Sequence, residues 1–346
     1  MTKNNRDIRI DIARGIGILL VVIGHLVQYG HSTFNYIFAF HMPLFYFLSG
    51  YVCSNDFSKP KFLKKIKSLL IPYLCFSLLG CIVTLIIPIW RVGLSCENFT
   101  YQFLYNVQPE FLHVGQVWFL FSLIIITILF FINNILICNS KNQFWFGLFL
   151  FVIAYAIHRY IKISICSTYL WRCPFKIDTA LYAFIFFQSG YICKITNIYE
   201  KIEKWTVKKK SILTFIALCI VFVISKKNGT TNICECCLGK PLLYLIGAYS
   251  GIFATLSFSS IISQNKYKLG LNWIGANSLP IFAFHSMYLY LSAYILSKIY
   301  GYDIIIMNNV PPKTIFPITV IILVLSIPVV KIYKYICTTI SDKFSN

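Results

Sequence analysis

The sequence predicts an all-α, polytopic integral membrane protein with about ten transmembrane helices and both termini in the cytoplasm. Three observations carry that expectation. The 346 residues are 58% hydrophobic and 17% aromatic but only 12% charged, whereas an ordinary globular domain is about half apolar and about a quarter charged. Apolar runs such as Leu19-Leu20-Val21-Val22-Ile23 and Leu123-Ile124-Ile125-Ile126 recur along the chain. The 31 Lys+Arg against 11 Asp+Glu give a formal net charge of +20, gathered mainly in alternate connecting segments. The balance excludes a disordered chain, which would be polar and charge-rich, and argues against a soluble enzyme. It also argues against a nucleic-acid partner, because a basic nucleic-acid binder would not carry such apolar runs.

A spanning helix needs about 20 mostly apolar residues. Ten segments qualify: 14–31, 35–54, 69–89, 115–137, 144–160, 176–193, 211–225, 241–262, 272–297 and 315–337. The fifth and seventh are the shortest. Gly and Pro inside several of them do not exclude spanning, since neighbouring helices can satisfy the backbone groups they release. With the N-terminus inside, the cytoplasmic segments collect Lys3 to Arg14, Lys59 to Lys67, Lys141, Lys194 to Lys210, Lys266, Lys268 and the three C-terminal lysines, 21 of the 31 basic residues. Ten spans with both termini inside therefore follow the positive-inside rule.

The first segment imitates a signal peptide, but no small-residue cleavage site follows and the run contains Arg14 and His25. It reads as an uncleaved first span. With no clear repeat and no large soluble segment, residues 1–346 read as a single membrane domain. Of 13 cysteines, six fall in expected outer loops: Cys96, Cys166, Cys173, Cys234, Cys236 and Cys237. The Cys234-Glu-Cys236-Cys237 cluster lacks the paired spacing of a zinc site, and disulfides there are compatible with an oxidising compartment.

Ionisable groups inside spans are costly and mark candidate functional positions. Arg14 and His25, eleven residues apart, share one helix face with Asp11, Ile18 and Val21 and are separated by about 16 Å along the axis. His41 enters about 10 Å from the outer face on the second span, and His285 stands about 20 Å from the inner face on the ninth. In a hydrocarbon core about 30 Å thick, the three histidines are expected at similar depth. Imidazole titrates near neutrality and suits acid–base work on a hydroxyl. Three histidines also suit a metal, but the absence of a nearby carboxylate set makes that the lesser reading, and no metal is expected. His41 and His285 are equally compatible with a hydrogen-bonded core position, and Arg14 with an interfacial one, whereas for His25 near mid-membrane the functional reading outweighs the core one.

Asp178, at the outer end of the sixth span, suits binding of an acceptor hydroxyl or an ion pair with Lys176 or Arg172. His113, Gln116 and Trp118 open the fourth span, where Trp is commonly an interfacial anchor. The basic run containing Lys64, Lys65 and Lys67 records topology and attraction to anionic lipid, while a subset facing a cavity can hold phosphates.

The pattern of Arg14, ten residues and His25 resembles the signature of membrane-bound acyltransferase family 3, in the branch similar to fucose 4-O-acetylase. So do Phe40-His41-Met42-Pro43-Leu44-Phe45-Tyr46-Phe47-Leu48-Ser49-Gly50-Tyr51, Val117-Trp118-Phe119-Leu120, Ile177-Asp178-Thr179-Ala180, and Ile274-Gly275-Ala276-Asn277-Ser278-Leu279-Pro280, which continues to His285. Together these cover nearly the whole chain in order.

The resemblance implies O-acyl transfer, usually of acetyl, from acetyl-CoA on the cytoplasmic side to a carbohydrate at the cell surface or on a lipid carrier: capsule, O-antigen, exopolysaccharide or lipid-linked glycan. The setting it implies is the cell (plasma or inner) membrane. It implies His25 and Arg14 as the essential pair, with Arg14, Lys64, Lys65 and Lys67 toward the donor and His41, Trp118, Asp178 and His285 toward the acceptor. His25 then serves as general base or as acyl carrier. Two departures stand out. The basic run is all lysine, whose ammonium lacks bidentate phosphate geometry, where members often carry arginine, and no extracytoplasmic hydrolase-like domain is appended. The rival reading from another class is a transporter or flippase of glycans or acyl groups, which broken helices and polar groups at mid-membrane also suit.

Overall fold

The computed structural model describes residues 6–56, 58–86, 117–137, 139–164, 173–265, 268–300 and 312–344. Most of the outer loops at 90–114 and 161–175, with His113, Gln116, Cys96, Cys166 and Arg172, lie outside the described residues. Those described form thirteen α-helices with a few 3₁₀ turns. The one extended feature among them is an isolated antiparallel bridge between Asn232 and Cys237.

The first helix, α1 (Ile8–Leu26), begins six residues before the expected span and stops five residues short of its end. Asp7 caps its start, its carboxylate accepting from the Arg9 N–H, as an N-cap should. Val27 leaves the helix in extended conformation, and Gly30 turns the chain at φ +81°. His25 thus falls in the last turn of α1.

The second expected span is two helices, α2 (Ser32–Phe38) and α3 (His41–Tyr51). Phe40, at φ −147° and ψ −15°, interrupts them. The cause is Pro43. In a continuous helix its ring would clash with the Ala39 carbonyl, but in the first turn of a new helix its missing N–H costs nothing. The ninth expected span breaks the same way, into α11 (Leu271–Ala276) and α12 (Ser278–Tyr300), with Asn277 between them and Pro280 in the first turn of the second.

The remaining helices are α4 (Lys59–Ile86), α5 (Trp118–Leu136), α6 (Ser140–Ser164), α7 (Ile177–Ile195), the short α8 (Ile198–Glu203), α9 (Val207–Asn228), α10 (Pro241–Ser263) and α13 (Pro312–Phe344). The two shortest expected spans lie within α6 and α9, which are full-length helices.

α1 lies at the centre, packed on α11, α10, α12 and α3; α3 crosses α7, which also packs on α6 and α5. Two of these crossings bring backbones together through glycine. A Cβ at Gly50 or Gly190 would run into the carbonyls of Phe187 or Phe47, and one at Gly15 or Gly275 into those of Leu271 or Asp11. Small residues at helix crossings are how membrane helices gain close van der Waals contact. By length and composition four helices among the described residues are apolar enough to cross a membrane, over Lys59–Ile82, Trp118–Leu136, Pro241–Ser263 and Lys313–Tyr335. Large apolar side chains stand exposed along α9 and α13, such as Phe215 at 68% and Phe316 at 77%. A surface of this kind belongs against lipid rather than water. The protein is helical and membrane-embedded.

Candidate active site

The site is built outward from α1. Arg14 points one guanidinium nitrogen at the Asp11 carboxylate, 3.8 Å away. Asp11, only 5% exposed, also accepts from Arg6 Nε at 2.9 Å. Arg6 in turn donates to the Ala276 carbonyl at 3.2 Å, the last residue of α11. One buried carboxylate therefore ties the start of α1 to the break between α11 and α12.

A cavity of about 370 Å³ opens at this junction. Arg6, Arg14, Lys65 and Lys334 supply positive charge to its wall, and the first residues of α12, Ser278 to Pro280, line another side. The N–H groups of a helix start carry partial positive charge, so this contribution adds to the same sign. Phe45, Phe119 and Phe282 also line the cavity. Their rings touch one another, with centroids 5.7–6.4 Å apart, and Phe282 lies 5.8 Å from the His285 ring. This aromatic wall separates the cationic cavity from the histidines.

Beyond it, His25 and His285 face each other with ring centroids 5.1 Å apart. Phe38 lies 6.2 Å from His25 and 4.5 Å from His41, so the three histidines, from three helices, are linked by ring contacts that run from His285 through His25 and Phe38 to His41. Two of them are pinned. His41 Nδ1 lies 3.0 Å from the Ile37 carbonyl and His285 Nδ1 2.7 Å from the Phe282 carbonyl. A carbonyl only accepts, so in the neutral ring Nδ1 carries the proton and Nε2 is the base. For His285 that nitrogen accepts from the Ser286 hydroxyl at 3.4 Å. His25 is half-buried, and no hydrogen bond to its ring occurs among the described residues. No group of three metal-ligand side chains occurs among them either.

The expected lysines divide. Lys65 lines the Arg14 cavity and also a second cavity of about 420 Å³, where Lys64 joins it. Lys67 is exposed and lines neither. At the mouth of the second cavity Asp56 pairs with Lys61 and accepts from the Ser58 N–H, which holds its carboxyl down at about 2.

Trp118 begins α5 and is buried, with its ring edge-on to Phe119 rather than on an exposed interface. Asp178 is buried in the first turn of α7 and accepts from the N–H of Thr179 at 2.7 Å and of Cys173 at 3.4 Å. The Lys176 ammonium donates to the Cys234 carbonyl at 3.1 Å. The loop carrying Cys234 also receives the Thr179 hydroxyl at 3.4 Å, and so folds over the start of α7.

Sequence reasoning missed two buried polar groupings. Tyr46 and Ser122 hydrogen bond at 2.7 Å beside the aromatic wall, where one tyrosine among 23 carries no signal. Asn133 donates to Gln188 at 3.3 Å and Gln188 to Gln143 at 3.0 Å, tying α5, α7 and α6. Gln188, set in the apolar run around Phe186 and Phe187, was the detectable sign.

Comparison with known proteins identifies the family. Residues 7–331 match a family described as an acyltransferase domain. Nodulation protein NolL of Mesorhizobium japonicum is 45% identical over 69 residues, 17% of this chain and 18% of that protein. Nodulation protein NolL of Sinorhizobium fredii is 41% identical over 85 residues, 20% of this chain and 23% of that protein. The chain thus spans about a fifth of the length of the curated relatives it matches. No solved structure matches significantly. The family match runs from before Arg14 to beyond His285 and covers nearly the whole chain, and the chain belongs to that acyltransferase family.

Proposed function

We propose that the protein is a membrane O-acetyltransferase that moves an acetyl group from cytoplasmic acetyl-CoA to a hydroxyl of a cell-surface or lipid-linked carbohydrate. The observation that carries this reading is the course of α1. It runs from a cation-lined cavity at Arg14 to an imidazole at His25 that takes no hydrogen bond among the described residues, about 16 Å further along the axis. A donor with an anionic end and a long arm ending in a thioester fits that separation.

In this reading Arg14 and Lys65 hold phosphate and the upper arm, and the thioester passes the aromatic wall to His25. Neutral His25 takes the proton from the acceptor hydroxyl as its oxygen attacks the thioester carbonyl. The carbon–sulfur bond breaks, and the departing thiolate takes that proton from the imidazolium, leaving an ester and free CoA. His41, its tautomer fixed by the Ile37 carbonyl, offers its Nε2 to an acceptor hydroxyl, and His285 reaches the acceptor through the Ser286 hydroxyl on its own Nε2. Trp118 and Asp178 lie on its path from the outer side. The reaction balances without a metal or redox partner.

The test is transfer of labelled acetyl from acetyl-CoA in membranes. A well-expressed His25→Ala protein is expected to lose activity by at least about a hundredfold, the usual scale of general-base removal. Activity at the wild-type level would sink the role given to His25. The broken helices α2/α3 and α11/α12 favour the transporter reading to the extent that transporters use such breaks. Mass analysis of the cell's surface glycans after deletion separates the two, because a transporter moves its substrate without changing its mass.

A further inference from the structure

The 420 Å³ cavity lies beside the one that Arg14 lines, and the two meet at Val52 and Lys65. Its composition differs from its neighbour's. Phe62 and Phe131 stack with centroids 4.3 Å apart and an interplanar angle of 27°, and with Phe130 they make an aromatic wall. Lys61, Lys64 and Lys65 stand along the α4 side and Asp56 at the mouth. A planar, apolar wall rimmed by ammonium groups suits a ligand with an aromatic ring at one end and phosphates beside it.

Size supports a divided ligand. Pockets that hold a whole small molecule run to about 300–1,000 Å³, and each cavity alone is near the lower part of that range. Joined at Lys65, they suit a long molecule with two unlike ends.

We propose that this second cavity is a nucleotide subsite. It takes the purine and ribose phosphate of the donor against Phe62 and Phe131, while Lys65 grips the phosphates where the two cavities meet and the arm runs through the Arg14 cavity. This rests on the acetyl-CoA reading above and adds to it the division of the donor between two cavities. Asp56 is then a competitor for the ligand: it neutralises Lys61 until phosphate displaces it.

The probe is adenosine 3′,5′-bisphosphate, which carries the nucleotide end without the arm, titrated against the purified full chain in lipid nanodiscs. The wild type is expected to bind it. Lys61→Ala/Lys64→Ala is expected to weaken binding about tenfold or more, Phe131→Leu by several-fold, and Asp56→Asn is expected to tighten it. A Lys208→Ala/Lys209→Ala control on α9 removes the same charge at a distance and is expected to leave binding unchanged. In turnover, the Lys61→Ala/Lys64→Ala protein is expected to raise KM for acetyl-CoA about tenfold while leaving KM for acetyl-pantetheine within about twofold.

No binding by the wild type, equal binding by the Lys61/Lys64 variant, or an equal loss in the Lys208/Lys209 control overturns the subsite. Bisphosphate binding that follows the expected variants, in a protein that transfers no acetyl, leaves the subsite standing and sinks the acetyl-transfer reading instead.

Discussion

At the level of single residues, the decisive arrangement is the carboxylate of Asp11. It is buried, it accepts from Arg6, and it faces Arg14. Without it, two guanidinium groups share one junction with nothing between them, and like charges repel strongly where water is scarce. Asp11→Asn keeps the shape and removes the charge. Its expected effect is a rise of about tenfold in KM for acetyl-CoA with kcat within about threefold, read from initial rates in membranes. An effect confined to kcat would show that Asp11 does not act through donor binding. Arg14 and His25 were legible in the sequence because an ionisable group in an apolar run stands out. The role of Asp11 was only half legible: its spacing put it on the right face, but its tie to Arg6 and the Ala276 carbonyl depends on a helix 270 residues away. Which of the lysines line a cavity was not legible for a related reason. A run of lysines has no pattern that says which members turn inward, and the helix phase of α4 turns Lys65 in and Lys67 out.

At the level of helices, two breaks and one aromatic wall shape the site. Both breaks come three residues before a proline in the new helix's first turn, Phe40 before Pro43 and Asn277 before Pro280. Proline alone did not reveal them, because Pro72, Pro317 and Pro328 lie inside continuous helices. The first break sets His41 against the Ile37 carbonyl, and the second places the start of α12 in the cationic cavity. The rings of Phe45, Phe119 and Phe282 line the cavity, and Phe282 also touches His285, so in the acetyl-transfer reading they bound the space open to the acyl group. Phe282→Leu is expected to admit longer chains, shifting the rate ratio of butyryl-CoA to acetyl-CoA upward by about tenfold, since each methylene in an apolar pocket discriminates by about that much or more. An unchanged ratio would remove the wall from acyl selection. The glycine crossings make a separate prediction. Gly190→Val forces a side chain into the Phe47 carbonyl, and overpacking of this kind costs about 1–3 kcal/mol or more. A lower thermal midpoint in detergent is the readout, and Ser189→Ala, next to it in α7, serves as a milder comparison that removes a hydroxyl without adding bulk.

For the whole molecule, the arrangement of helices explains why hydropathy and spanning are different properties. α4 and α13, among the four helices apolar enough to cross a membrane on composition alone, are only 28% buried over their apolar windows. Both expose large apolar side chains, such as Leu74 and Leu78 on α4 and Phe316 and Val324 on α13, a surface that suits lipid. α1 carries Asp11, Arg14 and His25 and is enclosed by α3, α10, α11 and α12. A helix shielded by protein can be polar where the site needs it, and its mean hydropathy falls accordingly. The same logic covers α7, whose Gln188 is satisfied by Asn133 and Gln143. Ten spans with both termini inside therefore remain compatible with four strongly apolar helices, and the distribution of charge offers the test. The segment after α3 carries Lys59, Lys61, Lys64, Lys65 and Lys67 and is expected inside; the turn around Gly229, between α9 and α10, is expected outside. Alkaline phosphatase, active only outside, is expected to be inactive when fused after Ser58 and active when fused after Gly229. The reverse pattern would place the Arg14 cavity on the outer face. Acetyl-CoA would then have no access to it, and the donor assignment would fail together with the orientation.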